Sequence, residues 1–235
     1  MNAIATIPKR NDHTMKKETV ERTVMGHHSC PKALDDIQAQ LAGTEKGKPV
    51  SVVLPPVKPA AEEKLEEILG LINGFEDAEI IVNDWGTLAR TAERKRHNAM
   101  KATLITGILL SGQESDPAIR LFTDYQESRV LKIGQKAIEY EWVSPPETLV
   151  KHWGEPALFH MTEMLRSMGI DIIEIGLQPI PVTEGTNHLP VRMLPYGLMS
   201  VRPCCGKCEQ CGGKEIRRAG CRVFFDRNML IWENS

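Results

Sequence analysis

No stretch of this 235-residue chain approaches the roughly 18 consecutive apolar residues of a spanning helix, so a membrane span is not expected. Met1 to Arg10 lacks the charged start and apolar stretch of a secretory signal, and the chain is expected to be soluble and cytoplasmic. Neither sign of charge prevails: 29 basic and 31 acidic residues leave a net charge of -2, which excludes a general polyanion coat. Six cysteines are too few for a disulfide scaffold at this length. No Gly-rich phosphate loop follows an expected strand, which weakens nucleotide-dependent readings, and no solenoid repeat is present.

What is present is a regular alternation. Apolar residues make up 41% of the chain, enough for a sizeable core. Residues 1 to 29 carry scattered cations with little apolar periodicity and read as a mobile or loosely docked lead. From residue 30 the order is regular: a helix with Leu34, Ile37 and Leu41 on one face, a strand from Val50 to Leu54, then a helix with Leu65, Ile68, Leu69 and Ile72 on one face. A strand from Ala78 to Val82, a helix from Gly86 to Asn98 and an apolar run from Ala102 to Leu110 follow. Residues 111 to 156 interrupt this rhythm and read as an insertion, with Ala137 to Val143 as a hairpin arm. A helix through Leu158 and Leu165 and a strand from Ile170 to Ile175 resume it. Strands separated by helices imply a parallel sheet with right-handed crossovers. The expected fold is α/β, a compact or incomplete TIM-barrel-like sheet over residues 30 to 235, with a cysteine-rich C-terminal segment. An open doubly wound sheet is the rival.

Five of the six cysteines lie between Cys204 and Cys221. Cys205, Cys208 and Cys211 are spaced by three, so one tight turn can aim three thiolates at one centre, and Gly206, Gly212 and Gly213 permit the backbone this demands. Segment 203 to 221 therefore reads as metal-binding. Three close cysteines plus one remote cysteine suit an iron-sulfur cube, toward which the spacing leans; Cys205, Cys208, Cys211 and Cys221 could also close a zinc knuckle. The fourth ligand is Cys30, Cys204 or Cys221. Local closure by Cys221 is favoured by about 2 kcal/mol of loop entropy, whereas a barrel that brings the chain's start beside its last strand offsets most of that cost for Cys30. Cations outnumber acids between Arg202 and Arg227, which would stabilise clustered thiolates; a solvated basic tail or an RNA patch are the other readings, and without an RNA-binding motif nucleic acid is not expected.

Ile81-Val82-Asn83-Asp84-Trp85-Gly86, at the end of an expected strand, resembles the Asn-Asp signature of the collagenase-like peptidase superfamily, peptidase family U thirty-two. The order around it is similar to the short UbiV-like branch: Cys30 before the Val50 strand, the Asn-Asp motif, a Gly-containing strand at Ile105 to Leu110, then Leu194-Pro195-Tyr196 leading into the cysteines. The resemblance implies a barrel-like α/β fold and a four-iron four-sulfur cluster held by Cys30, Cys205, Cys208 and Cys211. It also implies a homologous partner subunit and oxygen-independent hydroxylation of an aromatic small molecule, as in ubiquinone synthesis, in which this chain is a subunit or an accessory. In this chain the late cysteines are more compressed than in that branch. Peptidase activity is not expected, because the chain has neither a nucleophile motif nor a His-Glu-x-x-His zinc site.

Other residues have plainer readings beside functional ones. Asn83 and Asp84 sit at a strand end, the functional face of a parallel barrel, and are the candidate catalytic pair; Asp84 is also well placed to cap the next helix. His27 and His28 could ligate metal beside Cys30, but paired histidines in a polar lead are expected to be exposed. His188 could act as an acid or base in its loop, though an ordinary loop histidine is the simpler reading. Arg94 to His97 should be the exposed cationic end of a helix. The competing function is a non-enzymatic, zinc-stapled α/β protein that binds a macromolecule through its basic tail.

Overall fold

Valine and isoleucine fill Val50–Leu54 and Ala78–Val82, and these residues form strands buried along their whole length, as covered parallel strands require. The computed structural model describes residues 22–111, 127–133, 136–142, 157–177, 189–201, 215–218, 220–227 and 229–234. Among them the chain forms two compact units.

The first unit contains strands β1 (Thr23–Gly26), β2 (Val50–Leu54), β3 (Ala78–Val82), β4 (Thr103–Thr106) and β7 (Ile172–Ile175), with β8 (Val191–Met193) completing the sheet. Helices α1 (Ala33–Gly43), α2 (Glu62–Ile72) and α3 (Trp85–Arg96) connect the first four strands, and α4 (Thr162–Ser167) precedes β7. The strand order is β1-β2-β3-β4-β7-β8, and β1 to β7 pair in parallel throughout. The sheet is a curled half-barrel, consistent with a TIM-barrel-like fold. The apolar stripes of α1 and α2, with Ile37, Leu41, Leu65, Ile68, Leu69 and Ile72 fully or almost fully buried, account for their placement against the sheet.

The curl can be read from one contact. In a flat sheet β8 would stand about 14 Å from β3, and side chains on one face would rise side by side. Yet Arg192 on β8 binds Glu79 on β3 through two hydrogen bonds, Nη2 to Oε1 at 2.7 Å and Nη1 to Oε2 at 3.0 Å. Only a concave face lets them converge. Arg22, just before β1, approaches the same carboxylate at 3.6 Å, and Ser51 on β2 donates to it at 2.6 Å. Above this polar layer, Val53, Ile81 and Ile105 form an apolar layer with Val24 and Ile172. Strand registry puts His28, Asn83 and Gly107, past the carboxyl ends of β1, β3 and β4, level with Glu174 near the end of β7 in the next layer.

The strand β1 corrects the reading of residues 1 to 29 as a loosely docked lead: Thr23–Gly26 pair with Val50–Val53, and His27, His28 and Ser29 are buried. Residues 1–21 lie outside the described residues.

The second unit contains a hairpin of β5 (Glu127–Ile133) and β6 (Lys136–Trp142), which falls in the expected insertion. It also contains an antiparallel sheet ordered β10-β11-β12-β9, from β9 (Gly197–Val201), β10 (Ile216–Arg218), β11 (Cys221–Asp226) and β12 (Met229–Asn234). Cys221, Val223 and Trp232 form its core, with Leu177, Met199 and Leu230 packed against them. Gly197 is required there, since a Cβ would lie 2.1 Å from Trp232 Nε1. Among the described residues the C-terminal part is therefore an antiparallel sheet with its own core. Among the described residues no helix is long and apolar enough to cross a membrane.

Candidate functional site at the carboxyl ends of the parallel strands

Gly26 ends β1 with φ +100°, and a Cβ there would meet Val53 O at 2.1 Å. Glycine is thus required where the chain turns out of the sheet. The turn that follows is organised by His27, whose Nδ1 accepts from the backbone N–H of Ser29 and of Cys30, both at 3.1 Å. Accepting there leaves the ring proton on Nε2. Cys30 O then accepts from Ala33 N–H at the start of α1. His27 and His28 are buried, contrary to the exposure expected for them; His27 is a turn-forming residue. Cys30 is a free thiol with 1% of its surface exposed.

At the end of β3, Asn83 and Asp84 take different roles. Asp84 adopts an extended conformation and accepts from Thr87 N–H at 2.8 Å, which caps α3 as its position suggested. Its second oxygen accepts from Val57 N–H at 3.2 Å, so both oxygens have structural partners. Asn83 is buried. Its Nδ2 donates to Leu54 O at 2.9 Å, and its Oδ1 accepts from Leu109 N–H at 3.3 Å. The amide therefore spans the loops after β2 and β4. A Cβ on Gly107 would lie 2.3 Å from Asn83 Oδ1, so this crossing needs glycine.

Asn83 Oδ1 also faces His28 Nδ1 at 3.4 Å. Because an amide oxygen only accepts, His28 Nδ1 must donate, and in the neutral ring Nε2 is left as an acceptor. Nε2 faces Glu174 Oε1 at 3.5 Å, too long for a good hydrogen bond, and among the described residues Oε1 has no hydrogen-bond partner. Burial raises the Glu174 pKa to about 8; the positive charge of Arg192 opposes the shift and the negative charge of Glu79 adds to it. At neutral pH Glu174 is therefore a carboxylic acid. Glu79 behaves oppositely: burial would raise its pKa, but hydrogen bonds from Arg192 and Ser51 and the charges of Arg192 and Arg22 outweigh burial and lower it. Two buried glutamates of one sheet are thus pushed apart, one ionised and one neutral, a pattern typical of functional sites.

No family model, curated protein or solved structure matches this chain. The likeness to the collagenase-like superfamily therefore rests on its short motifs.

The remaining candidates are distributed as follows. Cys204, Cys205, Cys208, Cys211 and His188 lie outside the described residues. Among the described residues no group of three or more His, Cys, Asp or Glu could hold a metal ion. Cys221 is a buried residue in the core of the antiparallel sheet. Within the basic stretch, Arg222 is exposed but engaged by Glu215 at 2.8 Å and Glu233 at 3.4 Å, and its guanidinium lies over Phe224. At the cationic end of α3, Arg94 pairs with Glu66 and Lys95 with Asp171. Sequence reasoning passed over Glu174, Glu79 and Arg192. The available signal was a lone glutamate in each of two apolar strands, Ala-Glu-Ile-Ile-Val and Ile-Ile-Glu-Ile.

Proposed function

We propose that this chain is an iron-sulfur protein of the UbiV-like kind, which supports oxygen-independent hydroxylation of an aromatic small molecule together with a homologous partner subunit. The observation that carries this reading is Asn83 of the Asn-Asp motif: it stands past the carboxyl end of a strand in a curled parallel sheet and contacts His28, in a layer shared with Glu174. The proposed fold is an incomplete TIM-type barrel followed by a cysteine-rich segment.

The proposed ligands are Cys205, Cys208, Cys211 and Cys30. Cys30 suits the donor set because it is a free thiol just past the end of β1. Cys221, the alternative, serves the core of the antiparallel sheet with Val223 and Trp232. A cluster bound there supplies one-electron transfer. This chain's own residues hold a ligand's polar groups at His28, Asn83 and Glu174 and bury them from water.

Anaerobic purification followed by absorbance spectroscopy and iron, sulfide and zinc analysis tests the reading. Iron and acid-labile sulfide in equal amounts are expected. Stoichiometric zinc without iron after anaerobic reconstitution would overturn it in favour of a zinc-stapled binding protein. Cys205→Ala, Cys208→Ala and Cys211→Ala should each abolish metal retention, with Cys204→Ala milder. A full cluster in Cys30→Ala with loss in Cys221→Ala would transfer the fourth position to Cys221.

A further inference from the structure

Glu174 enters neither the metal reading nor the core packing, and a carboxyl group in an apolar strand is costly to bury. It is 1% exposed, and its Oε1 makes no hydrogen bond among the described residues. The nearest ionic partner is His28, whose Nε2 is 3.5 Å away. The Arg192 guanidinium could neutralise the carboxyl, but both of its Nη atoms are committed to Glu79. Among the described residues, the titratable or charged groups acting on Glu174 from the neighbouring elements are His28 after β1, Glu79 on β3 and Arg192 on β8.

The surroundings are organised rather than incidental. Asn83 is held by Leu54 O and Leu109 N–H, which fixes its oxygen toward His28 and makes His28 Nδ1 a donor. Gly107, level with Asn83 and Glu174 in the registry, lacks the Cβ that would block the Asn83 amide. Three strand ends thereby converge on one acid group at the sheet edge where parallel barrels do their chemistry. Two residues after Asn83, α3 begins with Trp85, which is 45% exposed and so open to an aromatic ligand.

We propose that Glu174 is the hydrogen-donating group of a small-molecule site, taking the oxygen of an uncharged aromatic hydroxyl or carbonyl compound, with Asn83 and His28 as its positioning residues. A cation would need the carboxyl ionised inside the fold, and an anion would add a second buried charge near the Glu79 carboxylate. An uncharged oxygen asks for neither; it accepts the carboxyl O–H and completes the unmade bond. The aromatic part of the ligand rests on the proposed hydroxylation reading, while the oxygen contact rests on the geometry alone.

The test uses the full chain purified anaerobically, with phenol as probe and toluene, which lacks the oxygen, as control. Infrared difference spectra of the wild type and Glu174→Gln at neutral pH should show a protonated carboxyl band that only the wild type has. Phenol should shift that band and toluene should not. Titration calorimetry should show phenol affinity lower by about tenfold in Glu174→Ala and Asn83→Ala, and largely kept in Glu174→Gln, whose amide still donates. The proposal is overturned if the band is the same in Glu174→Gln, if phenol does not bind, or if its affinity is unchanged in both alanine variants. Zinc uptake that needs His28 and Glu174 would also overturn it, by making the pair a metal site. Iron and sulfide measured on the same samples keep failure of this inference separate from failure of the cluster reading.

Discussion

Replacing Glu174 with glutamine should stabilise the protein, and the gain should grow with pH. The carboxyl titrates near its ordinary value of 4.5 in the unfolded chain and at about 8 in the fold. Between those values the folded state binds the extra proton, so the slope of stability against pH is negative. The cost of keeping Glu174 protonated is below about 1 kcal/mol at pH 5, about 3 kcal/mol at pH 7 and about 4 kcal/mol at pH 8, after which it levels off. Glutamine has nearly the same shape and does not titrate, so Glu174→Gln removes this penalty. Urea unfolding of both proteins, followed by circular dichroism at pH 5, 6, 7 and 8, should give stability curves that diverge by about 3 kcal/mol across the series. Parallel curves would refute the reasoning, because Glu174 would then titrate alike in folded and unfolded chains. Curves that diverge toward acid would mean an ionised, paired carboxylate.

Other perturbations probe neighbouring layers. Arg192→Leu should cost about 3 to 5 kcal/mol because it leaves the Glu79 carboxylate buried without its bidentate partner, and adding Glu79→Leu should recover most of the loss in thermal unfolding. The stability due to Glu79 is present above its unfolded value of 4.5 and lost as pH falls through its lowered folded value, so the Arg192→Leu deficit should shrink in acid. Gly107→Ala should cost about 1 to 3 kcal/mol by driving a methyl into the Asn83 amide, and distinctly less when measured in an Asn83→Ala background. Asp84→Ala should cost about 1 kcal/mol for the lost cap on α3, with hydrogen exchange at Thr87 accelerated more than at residues of β3.

Much of the half-barrel was legible in the residues themselves. The runs Val50 to Leu54 and Ala78 to Val82 coincide with β2 and β3, and the apolar stripes of α1 and α2 are buried as their periodicity requires. Asp84 was readable as a cap because capping is local, a side chain reaching a backbone N–H three residues ahead. Short strands were harder. Thr23–Gly26 is four residues long in a polar stretch, and only pairing with β2 makes it a strand. Cys221–Asp226 and Met229–Asn234 are short and mixed in polarity, and antiparallel pairing around Trp232 is what gives them a core.

Local pattern by itself determined the alternation of strands and helices, the parallel sense of the sheet and the cysteine triplet at 205, 208 and 211. All of these depend on residues close together in the chain. The tertiary structure alone decided which polar residues meet. Registry across β1, β3, β4 and β7 brings His28, Asn83, Gly107 and Glu174 to one level, and concave curvature carries Arg192 across to Glu79. The charge state of each glutamate follows from those meetings. Glu79 and Glu174 are both single acids in apolar strands, indistinguishable in sequence, yet one faces two arginines and stays ionised while the other, buried with an imidazole as its near neighbour, keeps its proton.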